Sequence, residues 1–146
     1  MTTVRRAHAK WEGDLVNGRG TVRFETGALP EVPVTWRARS EEAGGKTSPE
    51  ELLAGAHAAC FSMALSAGLA KAGAVPQRMQ VTAACTFGKV GDGFKVTDME
   101  LTVTAKVAGI DRAKFEEIAK TTGEKGCPIS QALAGNVAIK VVANLE

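Results

Sequence analysis

Hydrophobic and polar residues alternate along several segments of the chain, as they do in β-strands that bury one face. On this basis we predict six strands, at residues 8–12, 20–26, 33–39, 80–88, 94–107 and 136–143. The alternation is clearest in the fifth strand, where Met99, Leu101 and Val103 are each followed by a charged or polar residue. Asn17-Gly18 lies between the first two strands, and this pair is typical of a tight hairpin turn.

The segment from Ser48 to Gly73 has a different pattern and predicts one long helix. Ser48 suits the N-cap and Pro49 the first helical position, while Glu50 and Glu51 lie where the positive end of the helix dipole stabilises carboxylates. The residues that follow are apolar on nearly every side. Water does not cover such a helix, so we expect the sheet or another subunit to bury both of its faces.

Two shorter helices complete the prediction. Asp111 is placed to cap an amphipathic helix that ends between Gly123 and Gly126, and Gly126-Cys127-Pro128 begins another short helix. Because successive strands mostly lack the intervening helix of a parallel unit, we predict an α+β fold with a mainly antiparallel sheet. The 146 residues contain no linker, repeat or change of composition, which indicates a single domain over residues 1–146.

Composition narrows the class of protein. Hydrophobic residues at 45% and charged residues at 23% are typical of a soluble globular chain. The net charge of +2 is scattered, so we expect no nucleic-acid partner and no anionic membrane partner. We find no apolar run of transmembrane length and no signal peptide, and therefore predict a cytoplasmic location. Aromatic residues make up only 5%, so we do not expect an aromatic-lined ligand pocket.

Three cysteines are an odd number, and in a reducing compartment they do not form a disulfide scaffold of the secreted type. Cys127 precedes Pro128 at the start of the short helix, where an N-cap sulfur would face unpaired backbone N–H groups that favour a thiolate. The alternative for both Cys60 and Cys127 is a packing role as small buried apolar side chains. Taken alone, the position of Cys60 within the long helix favours that role, whereas a Gly-Cys-Pro helix start is an awkward place for a residue that only packs. Cys85 lies in a strand with nothing nearby to activate it, so we predict a packing role.

Other candidate residues carry weaker signals. His57 and Cys60 share one face of the long helix, as a metal site or a nucleophile–base pair would require, but no further ligand or orienting group is evident. We therefore expect His57 at a helix surface or a subunit contact. Glu50 is ten residues from Cys60, or about 15 Å along a straight helix, so it does not reach that thiol within its own chain. Arg19, in a turn, and Arg39, at the end of a strand, are by default solvated charges.

Four segments carry a resemblance to a known family. The segment SPEELLAGAHAACFSMAL at residues 48–65 strongly resembles the core of the OsmC/Ohr family of osmotically inducible and organic hydroperoxide resistance proteins. The segment GCPIS at 126–130 resembles the second cysteine motif of that family. The segments WEGD at 11–14 and GID at 109–111 are similar to its OsmC branch. The resemblance extends over essentially the whole chain.

Membership of this family would imply an intertwined homodimer in which sheets wrap two long central helices. It would also imply thiol-dependent reduction of peroxides, preferentially organic ones. By motif, Cys60 corresponds to the peroxidatic cysteine, Cys127 to the resolving cysteine, and Glu50 to a carboxylate that holds a catalytic arginine. Arg39 corresponds to the arginine of the OsmC branch and is our first choice, and Arg19 corresponds to that of the Ohr branch and remains a contender.

The implied reaction uses thiol chemistry without a cofactor or a metal. An arginine lowers the pKa of Cys60, and the thiolate cleaves the O–O bond to leave a sulfenic acid. Cys127 then forms a disulfide with Cys60, which an external dithiol reduces. The resemblance suggests a lipoyl-type protein dithiol. The apolar residues that would favour organic peroxides, or else only fill the core, are Leu52, Leu53, Phe61 and Met63.

Two other functions remain open at this point. A non-catalytic dimeric module could bind a small apolar ligand and use its cysteines for structure alone. A metal-binding protein would join His57 to Cys60 and Cys127. A cysteine hydrolase is disfavoured, because the sequence shows no oxyanion-hole motif and no orienting partner for His57.

Overall fold

The structure, a computed structural model, describes all 146 residues as two compact units, Met1–Leu52 and Leu53–Glu146. It has the α+β character that the sequence predicts, with mainly antiparallel strand pairing and one long helix. The elements in chain order are β1 (Ala7–Glu12), β2 (Arg19–Phe24), β3 (Val32–Val34), α1 (Trp36–Ser40), α2 (Pro49–Lys71), β4 (Pro76–Val90), β5 (Gly93–Val107), α3 (Arg112–Thr121), a π-helical turn (Thr122–Gly126), α4 (Pro128–Leu133) and β6 (Ala138–Leu145).

In the first unit, β1, β2 and β3 form an antiparallel sheet in that order. The tight turn predicted at Asn17-Gly18 is instead a loop over residues 13–18, in which the Asp14 carboxylate accepts hydrogen bonds from two backbone N–H groups at 2.9 Å. Gly20 is paired with Trp11 across the strands, and a Cβ at Gly20 would lie 2.8 Å from the indole ring. Only glycine leaves room for that ring.

The prediction of a third strand over residues 33–39 is wrong for its second half. Residues 32–34 are extended, but the Thr35 hydroxyl accepts a hydrogen bond from the Ala38 N–H at 3.1 Å and starts α1. The threonine cap satisfies one of the free N–H groups of a helix start, which the alternation of residue types does not reveal. As a result Arg39 lies on a helix and not at the end of a strand.

Helix α2 begins as predicted. The Ser48 hydroxyl accepts a hydrogen bond from the Glu51 N–H at 3.1 Å, and Pro49 is the first helical residue. The helix ends at Lys71, and Gly73 follows with a φ of 78°, the left-handed conformation that glycine adopts most easily. Both ends of the helix are therefore determined by local sequence.

In the second unit, β4 and β5 pair antiparallel over most of their length, whereas β6 pairs parallel to β5. As the predicted order of elements has it, α3 and α4 carry the chain from β5 to β6, and this crossover gives the one parallel pair of strands in a mainly antiparallel fold. Phe61, Leu65 and Leu69 recur every four residues along α2 and are fully buried in one core with residues of β5 and α3. Burying a side chain of this size contributes about 1.5–3 kcal/mol.

The opposite face of α2 is exposed in this chain, so of the two expected covers the sheet does not bury it. Small residues at positions 55, 59 and 67 lie on this face, and Met63 between them is 71% exposed. We call residues 55, 59, 63 and 67 the exposed apolar face of α2.

Helix α2 also overturns the expectation that no segment reaches transmembrane length. By length and composition alone, Pro49–Lys71 is apolar enough to cross a membrane. The same description fits the core helix of a water-soluble protein, and three of its large side chains are fully buried in the core of the second unit.

Candidate active site

Two cysteines that are far apart in sequence meet in the second unit. Cys60 lies on α2, Cys127 immediately precedes α4, and their sulfur atoms are 3.1 Å apart, with the Cys127 thiol donating to the Cys60 sulfur. Both thiols are free; Cys127 is fully buried, whereas Cys60 is partly accessible. A disulfide needs a sulfur–sulfur distance of about 2.05 Å, so an approach of about 1 Å would join them. The accessible thiol is therefore suited to meet a reagent first, and the buried thiol to react with it second.

The π-helical turn places Cys127. The Cys127 N–H donates to the carbonyl of Thr122 at 2.9 Å, which closes the turn. The turn packs against β6 at Gly123, where an added Cβ would overlap the side chain of Val141. A single π turn inside helical structure often marks a functional position, because it changes the direction of the residues that follow.

The environment of the two thiols differs in one respect from the sequence-based prediction. Cys127 is the N-cap of α4 and Pro128 its first residue, as predicted, but the Cys127 sulfur makes no capping hydrogen bond. The Ile129 backbone N–H instead hydrogen-bonds the Cys60 sulfur. Burial raises the pKa of the Cys60 thiol, the Ile129 hydrogen bond lowers it, and the neighbouring Cys127 thiol raises it, for a net upward shift.

A second pair joins α2 to α4 beside the cysteines. His57 Nε2 and Ser130 Oγ are 2.7 Å apart, and both residues are almost completely inaccessible to solvent. Our expectation that His57 lies at a surface or a subunit contact is therefore wrong. Burial lowers the pKa of His57, so the ring is neutral near pH 7.

The first unit contains the other pair of candidate residues. Arg39 Nε lies 3.1 and 3.2 Å from the two carboxylate oxygens of Glu50, and Arg39 Nη2 lies 2.8 Å from one of them. The Glu50 side chain is 8% exposed and that of Arg39 is 32% exposed. Arg19 instead forms a looser ion pair with Glu12 at 3.6 Å, and both side chains are largely exposed. Of the two candidate arginines, Arg39 is the one held by Glu50.

Residues 42–142 match the family model described as OsmC-like protein. The chain belongs to the OsmC-like family. The protein named Peroxiredoxin OsmC of Escherichia coli (strain K12) is 42% identical over 139 residues, which cover 95% of this chain and 96% of that protein. Organic hydroperoxide resistance protein OhrA of Bacillus subtilis (strain 168) is 28% identical over 128 residues, covering 86% and 83% of the two chains. The family resemblance seen in the sequence is thereby confirmed.

A solved structure extends the likeness to the fold. The organic hydroperoxide resistance protein from Elizabethkingia anophelis aligns with the OsmC-like chain over the full length of both, with a TM-score of 0.72 and 25% identity. The matched family region contains Glu50 and both of the paired cysteines. Arg39 and Arg19 lie before it.

The first unit of this OsmC-like chain also contains an aromatic-lined pocket, contrary to our expectation. A cavity of about 370 Å³ adjoins Arg39. Its lining residues are Trp11, Leu15, Val34, Thr35, Trp36, Arg39 and Pro49. Although aromatic residues are few, the chain's two tryptophans are both placed here. Of the residues predicted to line a pocket, Phe61 is buried in the core and Met63 is exposed.

The OsmC-like chain does not offer the set of ligands that the metal-binding alternative requires. No group of three or more His, Cys, Asp and Glu side chains is arranged to hold a metal ion. His57 is already hydrogen-bonded to Ser130, and Cys85 packs against the core from β4, as predicted.

Ser130 is the functional candidate that the sequence analysis missed. It follows Cys127 by three residues, as His57 precedes Cys60 by three. Equal spacing on two helices that already meet at the cysteines is the signal that points to this second pair.

Proposed function

We propose that this chain is a thiol-dependent peroxidase that reduces organic hydroperoxides, with Cys60 as the attacking and Cys127 as the resolving cysteine. The observation that carries the proposal is the 3.1 Å separation of a partly accessible and a buried thiol. The names of the Escherichia coli and Bacillus subtilis relatives support a peroxidase-type role. As an antioxidant oxidoreductase of this kind, it would act in the cytoplasm during oxidative stress.

The first step oxidises Cys60. Its thiolate attacks the terminal oxygen of the hydroperoxide, an S–O bond forms, and the O–O bond breaks. The peroxide takes two electrons from sulfur and leaves as the alcohol after accepting a proton. Cys60 is then a sulfenic acid. Hydrogen peroxide would react in the same way and leave as water.

The second step protects Cys60 from further oxidation. The Cys127 thiolate attacks the Cys60 sulfur, an S–S bond forms, and the S–O bond breaks to release hydroxide, which leaves as water after accepting a proton. The short distance between the two sulfurs supports this step. An external dithiol, of the lipoyl type in our proposal, then reduces the disulfide and is itself oxidised to a disulfide.

In this proposal Arg39 assists the first step, and Glu50 orients it. A guanidinium stays protonated and can lower the pKa of a nearby thiol while it donates to a peroxide oxygen. The three contacts with Glu50, which use two guanidinium nitrogens and both carboxylate oxygens, support Arg39 over Arg19, since they fix the direction of the guanidinium plane. The upward shift in the pKa of Cys60 within one chain indicates why such a cation is needed.

We propose that the arginine acts on the Cys60 thiol of a second chain in a homodimer. The exposed apolar face of α2 supports this arrangement, because a soluble chain seldom leaves an apolar helix face open to water. Sedimentation velocity tests it: wild type should sediment as a dimer, and Met63→Asp should weaken that dimer. A monomeric wild-type chain with full peroxidase activity would contradict the arrangement.

The pocket beside Arg39 supports an organic substrate. Its two indole rings and aliphatic side chains offer an apolar surface of the kind that an alkyl or aryl group prefers to water. We therefore expect kcat/KM to be higher for cumene hydroperoxide than for hydrogen peroxide. Trp36→Ala should reduce this preference, whereas Phe94→Ala, which removes an exposed aromatic ring from β5, should not.

Thiol titration with peptide mapping tests the proposed reaction directly. One equivalent of cumene hydroperoxide should remove two of the three free thiols, and the map should join Cys60 to Cys127. Cys60→Ser should abolish peroxide consumption, whereas Cys85→Ser should leave it intact.

If all three thiols persist, the chain is better described as a non-catalytic module that binds a small apolar ligand in the tryptophan-lined pocket. That pocket is the observation that favours this second candidate. Tryptophan fluorescence during titration with an aromatic alcohol would then report binding.

A further inference from the structure

Two side-chain pairs connect α2 to α4, and they lie one helical turn apart. Cys60 meets Cys127, and His57 meets Ser130. His57 precedes Cys60 by three residues, while Ser130 follows Cys127 by three. Residues three apart lie on one face of a helix, so the two pairs form neighbouring contacts between antiparallel segments.

The His57–Ser130 pair is a buried polar contact beside a mainly apolar core. Neither residue has appreciable contact with solvent, and Nδ1 of His57 makes no hydrogen bond to the protein. Ser130 therefore provides the hydrogen bond that the ring makes within the chain. Replacing both partners of a buried hydrogen bond by apolar groups of the same shape can be nearly neutral for stability, so the polar pair is better explained by the geometry that it imposes.

Helix α4 needs such an external contact. It has only six residues, and helices of that length are not stable on their own. Ile129 and Leu133 pack on the core as partly buried apolar residues. Apolar contacts of this kind are non-directional and permit sliding, whereas a hydrogen bond of 2.7 Å fixes both distance and direction.

The first turn of α4 is the part that touches the reactive thiol. Cys127 is the N-cap of this turn, and the Ile129 N–H within it hydrogen-bonds the Cys60 sulfur. A shift of α4 would therefore change both the position of Cys127 and this hydrogen bond.

We propose that His57 and Ser130 are positioning residues, whose buried hydrogen bond holds the first turn of α4 in the place from which Cys127 closes the disulfide with Cys60. This inference rests on the proposed use of the two cysteines. It concerns the rate of the second step, and its test does not require a peroxide.

The aromatic disulfide 5,5′-dithiobis(2-nitrobenzoate) separates the two steps. The Cys60 thiolate attacks one reagent sulfur, the reagent disulfide breaks, and the first thionitrobenzoate leaves. The Cys127 thiolate then attacks the Cys60 sulfur of the mixed disulfide, the second thionitrobenzoate leaves, and the Cys60–Cys127 bond forms. All proteins carry Cys85→Ala, so that only these two thiols remain.

The informative variant is Ser130→Ala, and its matched control is Ser62→Ala. Ser62 lies on α2, as His57 does, but its hydroxyl donates to the Ala58 carbonyl of the same helix and connects no other element. We expect Ser130→Ala to lower the rate of the second release, relative to the first, by at least about tenfold, since a displacement of about 1 Å can cost a hundredfold. Ser62→Ala should leave the ratio within about twofold of wild type.

The double variant His57→Leu/Ser130→Ala separates positioning from stability. Ser130→Ala leaves the His57 ring without a hydrogen-bond partner in the core and should lose stability. The double variant removes both polar groups, so its free energy of unfolding in urea should recover toward that of wild type. The slow second release should persist, because the directional contact is still missing.

A second release as fast as in wild type, in either the single or the double variant, would overturn the proposal. If Ser130→Ala does not fold, the rate of the second release can still be measured on the double variant, and a wild-type rate there would overturn the proposal equally. A wild-type chain that releases two equivalents from the reagent but fails to reduce cumene hydroperoxide would contradict the proposed function, while leaving the positioning test readable.

Discussion

The contact between Arg39 and Glu50 leads to a quantitative prediction for Glu50→Gln. The substitution keeps the shape of the side chain but removes the charge that faces the guanidinium through three short N–O contacts. Exposed ion pairs contribute about 0.2–1 kcal/mol, whereas removal of one partner from a buried pair costs about 3–5 kcal/mol. With Glu50 8% and Arg39 32% exposed, this pair lies between the two limits, and we expect a loss of about 2 kcal/mol.

The measurement is urea unfolding at a fixed chain concentration, with Glu12→Gln as the matched control. Glu12 faces Arg19 at 3.6 Å, and both side chains are more than three-quarters exposed, so its neutralisation should change the free energy of unfolding by less than about 0.5 kcal/mol. We also expect Glu50→Gln, but not Glu12→Gln, to lower kcat/KM for cumene hydroperoxide, since only Arg39 loses its orienting carboxylate. Equal effects of the two variants on both quantities would refute this reasoning and return Arg19 to consideration.

Three further predictions follow from single contacts. Because burial lowers the pKa of His57 from its usual value, the unfolded chain takes up a proton at a higher pH than the folded chain, and stability should fall as the pH drops below about 6.5. His57→Leu should flatten the dependence of the urea midpoint on pH between about pH 5 and 7, and an unchanged dependence would contradict this account. Cys127→Ser should complete one turnover and then accumulate sulfinic acid at Cys60, detected by mass spectrometry; persistence of multiple turnovers would contradict its resolving role. Gly123→Ala should lower the free energy of unfolding by about 1–3 kcal/mol, because the new methyl group overlaps a valine of β6; an unchanged urea midpoint would show that β6 adjusts freely.

Local sequence was sufficient where a structure depends on neighbours in the chain. The Ser48 cap, Pro49 and the glutamates that follow begin α2, and the glycine after its end stops it. The alternation around Met99 predicted β5 because each inward residue faces the same core. The cysteine motifs likewise identified Cys60 and Cys127, because a motif is recognised from residue types and their order alone.

Tertiary structure decided the features that depend on distant residues. The crossover through α3 and α4 brings β6 back beside β5 in a parallel pair, which depends on how the second unit packs. The Thr35 cap that starts α1 is by contrast a local signal, and the alternating pattern concealed it. The sequence predicted His57 at a surface or a subunit contact, but Ser130, which is 73 positions away in the chain, hydrogen-bonds the buried ring.

Residue types and motifs were sufficient to identify the candidates for thiol chemistry and most of the helices and strands, although residues 36–39 form a helix where a strand was predicted. The folded chain adds the 3.1 Å approach of Cys60 to Cys127, the Ile129 hydrogen bond to Cys60 and the contact between Arg39 and Glu50. This division follows from how far along the chain each interaction acts. Caps, turns and alternating patterns act over a few residues, whereas a pairing between distant side chains depends on how the core packs.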